Sequence, residues 1–260
     1  MKHDKKIISL LVLLFLAHQL FGIYVVSRIS SKDLATTYSN SEISPQVIYL
    51  PIVLILASVF FIVLINYKKL LKYWHISALF LCGFVTLSAL MSTIEAFILS
   101  ALIIIIKKST DDNYFGNISE LIIYPSIAIM LLPFLNVFSA ILLLLVISFY
   151  DVFAVYYSKH MITMAKTQME TNIFSGIRIV SKKESAIVGG GDIAFIMLLV
   201  CAVFRDYGLI SSVFSATFSA IGLLLLLVLA DKKKFYPAMP FLSISSVIGF
   251  FFSVLLTNLL

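Results

Sequence analysis

The chain has 260 residues, of which 61% are hydrophobic and 12% charged, and its mean hydropathy is +1.08. Because so few polar side chains could not cover the surface of a soluble domain, this composition excludes a soluble protein and predicts a polytopic membrane protein. The net charge of +6 does not indicate nucleic-acid binding. Lys and Arg cluster instead at the ends of apolar segments, where membrane proteins carry their cytoplasmic anchors.

Apolar runs follow one another along the whole chain, and about 20 apolar residues suffice to cross a bilayer. They predict an all-α membrane protein with nine transmembrane helices in a single domain over residues 1–260. The predicted helices are 7–27, 46–66, 73–91, 93–106, 119–132, 134–157, 186–204, 208–230 and 238–258. Helices 1–6 thus occupy about 7–157, a cytoplasmic linker about 159–185, and helices 7–9 about 186–258.

Two of these segments allow a second interpretation. The run 73–106 could be one tilted helix, since Ser92-Thr93 with Glu95 interrupts it only weakly. The first segment follows three lysines and so resembles a signal peptide, but its apolar stretch continues through Val26 without an Ala-x-Ala cleavage site. An uncleaved first helix is therefore favoured.

The basic residues predict the orientation. With the N-terminus in the cytoplasm, all but three of the 19 Lys and Arg residues fall in cytoplasmic loops, the exceptions being Arg28, Lys32 and Arg205. Merging 73–106 into one helix would move a basic cluster to the far side. The positive-inside rule therefore favours nine helices, with the N-terminus in the cytoplasm and the C-terminus outside.

Two carboxylates lie inside the predicted membrane segments, in Tyr150-Asp151 and in Gly189-Gly190-Gly191-Asp192. A charged side chain at the centre of a membrane helix costs about 2.5–3.5 kcal/mol on insertion scales, so each one indicates a function. Paired carboxylates can share one proton, so that one acts as a base on water while the other acts as an acid. This is the chemistry of aspartic proteases.

The two aspartates are predicted to lie at the same depth. Asp151 precedes Lys159 by eight residues and Asp192 follows Lys183 by nine, which places both about 12–14 Å below the cytoplasmic rim. The segment Pro237-Ala238-Met239 enters the membrane from the same side. Three motifs from three helices are therefore expected to meet in one leaflet.

These motifs resemble the YD, GxGD and PAL motifs of the presenilin and signal peptide peptidase family of intramembrane aspartyl proteases. Residues 150–163 are particularly similar to archaeal presenilin homologues. The resemblance implies that Asp151 and Asp192 are the catalytic pair, that Pro237, Ala238 and Met239 shape the floor of the site, and that transmembrane segments of proteins are the substrates. It also implies an integral protein of a prokaryotic, archaeal-type plasma membrane.

The chain departs from the family pattern at three points. Met239 stands where the family has Leu, a change that nearly conserves volume. Gly190 fills the variable position of GxGD without a side chain, which leaves open any inherited substrate preference. The connection between the sixth and seventh helices is short, so self-cleavage there is not expected.

Further residues are candidates for contacts at the site. Tyr150 could orient a carboxylate or contact substrate, or it could simply pack between helices. The β-branched run Ile177–Val180, which includes Ile179, predicts an edge strand that pairs with an unwound substrate. An ordinary solvated loop is the alternative for so short a run. The glycines Gly189, Gly190 and Gly191 are expected to give irregular backbone beside Asp192.

No cofactor and no metal are expected. Cys82 and Cys201 lie in apolar stretches, and His18 and His160 lack ligand spacing. Glu95 is expected to reach the interface or to pair, with a proton carrier as the alternative. The expected partners are transmembrane substrates and the lipid bilayer, with no nucleic acid. The sequence leaves a homo-oligomer open and implies no accessory subunit.

Two rival functions remain open at this level. A cation-coupled transporter also uses intramembrane carboxylates and broken helices, but it usually has paired halves, which this chain does not show. A prepilin-peptidase-like protease also carries GxGD. In this chain, however, the residues after Asp192 are apolar, and the Pro237-Ala238-Met239 segment would have no counterpart there.

Overall fold

A computed structural model of the chain describes residues 5–29, 68–109, 113–157, 176–181, 184–230 and 236–259, with the single residues 49, 52 and 56. The predicted helix 46–66 therefore lies almost wholly outside the described residues. The helices are α1 (Lys5–Ser27), α2 (Lys68–Ser88), α3 (Thr93–Ser109), α4 (Asn113–Ile123), α5 (Pro125–Leu131), α6 (Val137–Tyr156), α7 (Gly190–Leu229) and α8 (Met239–Leu259). A 3₁₀ turn, Leu132–Phe134, follows α5, and two strands, β1 (Gly176–Ser181) and β2 (Glu184–Gly189), precede α7.

The described helices are those of a membrane protein. Five stretches are long and apolar enough to cross a bilayer, namely Lys5–Ser27, Phe115–Phe134, Val137–Tyr156, Gly190–Leu229 and Met239–Thr257. The 40-residue α7 would measure about 60 Å if it were straight, about twice the hydrocarbon thickness. It is broken at Gly208, where φ is 86° and ψ is −178°. A side chain would strain this backbone, and the break coincides with the predicted boundary between 186–204 and 208–230.

The run 73–106 forms two helices and not one. Helix α2 ends at Ser88 and α3 begins at Thr93. The N–H of Ser92 donates to Oε2 of Glu95 at 3.1 Å, which is half of a capping box at the start of α3. Glu95 is exposed and stabilises this helix start.

The seventh helix begins later than predicted. Residues 184–189 form β2 and pair antiparallel with β1, although 186–189 were predicted to belong to the helix 186–204. The buried face of this hairpin carries Ile177 and Ile179 from β1 and Ala186 and Val188 from β2. Such a short β-branched run is apolar in either conformation, so hydropathy alone does not distinguish strand from helix.

Close helix contacts bring α6, α7 and α8 together. A Cβ on Gly249 of α8 would lie 2.6 Å from Cβ of Phe218 in α7, so only glycine fits there. Ser148 of α6 and Ser243 of α8 share a hydrogen bond of 3.0 Å between their hydroxyl oxygens. Small residues and interhelical hydrogen bonds of this kind hold membrane helices together. They join α8 to the helix that carries Asp151 and to the part of α7 that follows the break at Gly208.

Candidate active site

Asp151 lies on α6 and is only 7% exposed. Its Oδ2 accepts a hydrogen bond of 3.1 Å from the backbone N–H of Met239, and the N–H of Ala238 also donates to this carboxyl group. Because α8 begins at Met239, these donors belong to a helix start, where backbone N–H groups have no partner within the helix. The Pro237-Ala238-Met239 segment thus contacts Asp151 through its backbone.

Asp192 is the third residue of α7. Gly189 precedes the helix with extended backbone (φ −65°, ψ 147°), and its N–H donates to the Asp192 carboxyl group. This is the reciprocal half of a capping box, in which the third helical residue reaches back to the residue before the helix. A Cβ on Gly189 would lie 3.2 Å from Oδ2 of Asp192. The carboxyl groups of Asp192 and Asp151 interact electrostatically, so the two predicted aspartates lie in one site.

Among the glycines beside Asp192, Gly190 is required for space, and none of the three has a positive φ. The described glycines with positive φ are Gly176 and Gly208, and neither belongs to this motif. A Cβ on Gly190 would lie only 2.6 Å from the hydroxyl oxygen of Tyr124. Gly191 is exposed, and its closest contact would be 3.9 Å. The variable position of the motif is therefore the most tightly packed of the three.

The remaining predicted residues lie around this pair. Tyr150 is half-buried on α6, Pro237 and Met239 are buried, and Ala238 is half-buried. Ile179 is buried in β1, and Val180 follows it in the same strand.

One edge of β1 is bonded by a side chain. The N–H of Arg178 donates to Oδ1 of Asn117 at 2.9 Å, and its carbonyl accepts from Nδ2 of Asn117, also at 2.9 Å. The backbone groups of Arg178 therefore point away from β2, which leaves Arg178 and Ile187 as a non-hydrogen-bonded pair. By the same alternation, the N–H and C=O of Ile187 point to the outer edge of β2.

The sequence reading missed a buried polar cluster behind Asp192. Glu120 on α4 is 1% exposed, and it bonds Lys107 and Tyr124. On α1, Gln19 donates to the carbonyl of Ile193 at 3.2 Å. Glu120 also lies within an apolar segment. A charged side chain is costly inside a membrane, and this cost could have marked Glu120 as a candidate functional residue.

The arrangement provides two carboxyl groups in one site between helices, one buried and one half-buried, each oriented by backbone N–H groups. Such a pair can take a proton from water and give one to a substrate oxygen or nitrogen. Within the described ranges, no group of three or more His, Cys, Asp or Glu side chains is placed to hold a metal ion.

Comparison with known proteins identifies the family and the fold. The sequence profile of the family described as "Signal-peptide peptidase, presenilin aspartyl protease" matches residues 12–259. The fold is similar to two solved structures, each described as a presenilin family intramembrane aspartate protease. The one in space group C222 has a TM-score of 0.73 and is 19% identical in sequence; the match covers 96% of this chain and 99% of that chain. The one in space group P2 has a TM-score of 0.66 at 20% identity, with 95% and 96% covered. No curated protein sequence matches the chain.

Proposed function

The chain belongs to the signal-peptide peptidase and presenilin aspartyl protease family, and from this membership we propose that Asp151 and Asp192 are the pair with which it cleaves transmembrane segments of its substrates. It is an intramembrane aspartate protease and therefore a hydrolase. The observation that carries the proposal is the electrostatic interaction between two carboxyl groups, the buried one of Asp151 on α6 and the half-buried one of Asp192 on α7.

The proposed mechanism uses the pair as acid and base. One carboxylate takes a proton from a water molecule, which attacks the scissile carbonyl carbon. The other carboxyl group, protonated, donates to the developing oxyanion, and the roles then reverse to protonate the leaving amine. The donors from Ala238, Met239 and Gly189 hold both side chains in place before substrate binds.

We expect Met239→Pro to reduce kcat strongly, whereas Met239→Leu stays close to wild type. Proline removes the N–H that donates to Asp151, yet it is tolerated at the first position of a helix. In other enzymes, loss of one donor to a transition-state oxyanion costs roughly 10²–10³-fold in kcat. A smaller loss is expected here, because the N–H of Met239 already donates to Asp151 before substrate binds. Initial rates on a single-span substrate measure the effect. Equal rates for the proline and leucine variants would show that this N–H does not orient the pair.

The hairpin supports a way of holding substrate. A transmembrane helix must unwind before its carbonyl can be attacked, and its backbone then needs new hydrogen-bond partners. In β1, the backbone N–H and C=O of Arg178 are already bonded to the side chain of Asn117. In β2, by contrast, the N–H and C=O of Ile187 point to the outer edge. Among the described residues the sheet has two strands. We therefore place the substrate strand on β2, immediately before Asp192, and not on Ile179, whose hydrogen-bonding groups face β2.

The proposal includes the topology of nine helices, with the N-terminus in the cytoplasm and the C-terminus outside, in the plasma membrane of a prokaryote. We expect Ser181→Cys, in a background with Cys82→Ala, to resist an impermeant thiol reagent in intact cells, because the lysine-rich linker is cytoplasmic. Inverted vesicles should label readily. Rapid labelling from outside the intact cell would reverse the orientation of the whole chain.

Purification of the chain alone tests the function. With a single-span substrate in vesicles, we expect proteolysis that a mimic carrying a hydroxyl at the scissile position inhibits. Cation or solute flux that depends on the aspartates, without any cleavage, would instead support a transporter. Release of a cytoplasmic leader alone would support the prepilin-peptidase alternative.

A further inference from the structure

Three polar side chains, two of them buried, form a hydrogen-bonded chain between α3 and the start of α7. Lys107 of α3 donates from Nζ to Oε1 of Glu120 at 2.5 Å. Tyr124, one helical turn after Glu120, donates from its hydroxyl group to Oε2 of the same carboxylate, also at 2.5 Å. Each oxygen of Glu120 therefore has its own donor. We call these residues, Lys107, Glu120 and Tyr124, the Tyr124 chain.

The Tyr124 chain ends against the backbone that carries Asp192. A Cβ on Gly190 would lie only 2.6 Å from the hydroxyl oxygen of Tyr124, and 3.0 and 3.2 Å from two of its ring carbons. Tyr124 also interacts electrostatically with Asp192, two residues further along α7. A polar group at the junction of α4 and α5 is thus in contact with the first turn of α7.

The backbone around Tyr124 keeps this hydroxyl group in place. Helix α4 ends at Ile123 and α5 begins at Pro125, so Tyr124 stands at the junction of two helices. Tyr124 is 4% exposed, and the centroid of its ring lies 5.8 Å from the centroid of the His18 ring on α1. Tyr124 therefore has little room to move unless its hydrogen bond to Glu120 breaks.

A carboxylate buried only to fill space would be costly, since an apolar side chain of the same size packs without desolvating a charge. A polar network in which each member has its partners is rigid and fixes one geometry. We propose that Glu120 and Tyr124 are positioning residues for Asp192: the Tyr124 chain holds Gly190 and the first turn of α7 so that the Asp192 carboxyl group faces Asp151. This inference rests on the proposed function and adds residues that the aspartate mechanism does not itself require.

The first test is Tyr124→Phe, which removes one oxygen atom. We expect kcat to fall about 10- to 100-fold, the scale of a small misplacement of a reacting group, with KM within about twofold. Tyr207→Phe is the matched control. Tyr207 lies on α7, away from Glu120, and is 48% exposed, so this change should leave kcat and KM unaltered. Rates are compared per folded molecule, well below the thermal midpoint of each variant.

The second test uses the contact itself. Gly190→Ala should reduce kcat sharply in the wild type, because the new methyl group meets the Tyr124 hydroxyl oxygen. In the Tyr124→Phe background, the same change should cost several-fold less, since the closest contact is gone. Such a non-additive pair reports direct coupling between the two positions. Additive losses would overturn the inference.

The outcomes separate this inference from the proposed function. Full kcat in Tyr124→Phe together with an inactive Asp192→Asn would overturn the positioning role and leave the protease assignment intact. A fall in thermal midpoint with unchanged kcat per folded molecule would show a structural role only and would also overturn it. If Tyr124→Phe does not fold, Glu120→Gln replaces it, because it keeps the size and removes the ion pair with Lys107. A wild-type kcat in that variant would equally contradict the proposal.

Discussion

Asp151→Asn and Asp192→Asn are each expected to abolish cleavage of a transmembrane substrate, with residual rates roughly 10⁴-fold or more below wild type. Each turnover needs one carboxyl group as base and its neighbour as acid, and an amide can be neither. Asparagine keeps the size of the side chain, and its oxygen can still accept the N–H of Met239 or Gly189, so both variants should fold. Product formation on a single-span substrate is the measurement, with a thermal midpoint for each protein.

The two losses should not add. Once one aspartate is gone, removing the other should cost little more, because the members of a catalytic unit fail together. The wild-type rate should follow a bell-shaped pH profile whose limbs belong to the pair. Asp206→Asn is the matched control. Asp206 pairs with Arg205 at 2.7 Å near the Gly208 break, so its loss should lower stability but not kcat per folded molecule. An additive double variant would argue against a shared mechanism.

The second large effect is expected from Ile187→Pro, which should reduce cleavage of a transmembrane substrate by at least tenfold. Proline removes the N–H that points to the outer edge of β2, where the substrate strand is proposed to pair, and it cannot donate to a ladder. Because transition-state binding depends on a correctly held scissile carbonyl, the loss should appear in kcat as well as in KM. Initial rates over a range of substrate density in vesicles measure both.

Two further variants give this prediction its control. Ile187→Val keeps the N–H and the β-branched side chain, so its rates should stay close to wild type. Ile179→Pro removes a donor that faces β2, so it tests the hairpin itself and should lower the thermal midpoint as well as the rate. A normal rate in Ile187→Pro would exclude substrate pairing at β2, whatever Ile179→Pro does.

The proposed aspartate pair stands out in the sequence because each carboxylate is costly in an apolar run and each lies in a recognisable motif, Tyr150-Asp151 or Gly189-Gly190-Gly191-Asp192. Motif order and distance from the nearest lysines then placed Asp151 and Asp192 at one depth. The break before α3 was predicted from the distribution of Lys and Arg over the loops, because Ser92 and Glu95 were interpreted as only a weak interruption. Their spacing is that of a capping box, which the structure shows at the start of α3.

What the sequence did not reveal depends on contacts between distant residues. Nothing near Gly190 indicates that Tyr124 covers it, so its lack of a side chain was interpreted as a departure from the family pattern. The strand β2 was included in a helix because Ala186, Ile187 and Val188 are apolar in either conformation. Asn117 bonds the backbone of Arg178 and thus occupies the outer edge of β1 at that residue. These hydrogen bonds join residues far apart in the sequence, so they are likewise visible only in three dimensions.

We propose that Asp151 and Asp192 hydrolyse a peptide bond within the membrane. The decisive experiment incubates the purified chain and its Asp192→Asn variant with one single-span substrate in vesicles and identifies the products by mass spectrometry. We expect the wild type to yield two fragments cut within the span, and the correctly folded variant to yield none. Fragments from Asp192→Asn at near the wild-type rate would contradict the assignment.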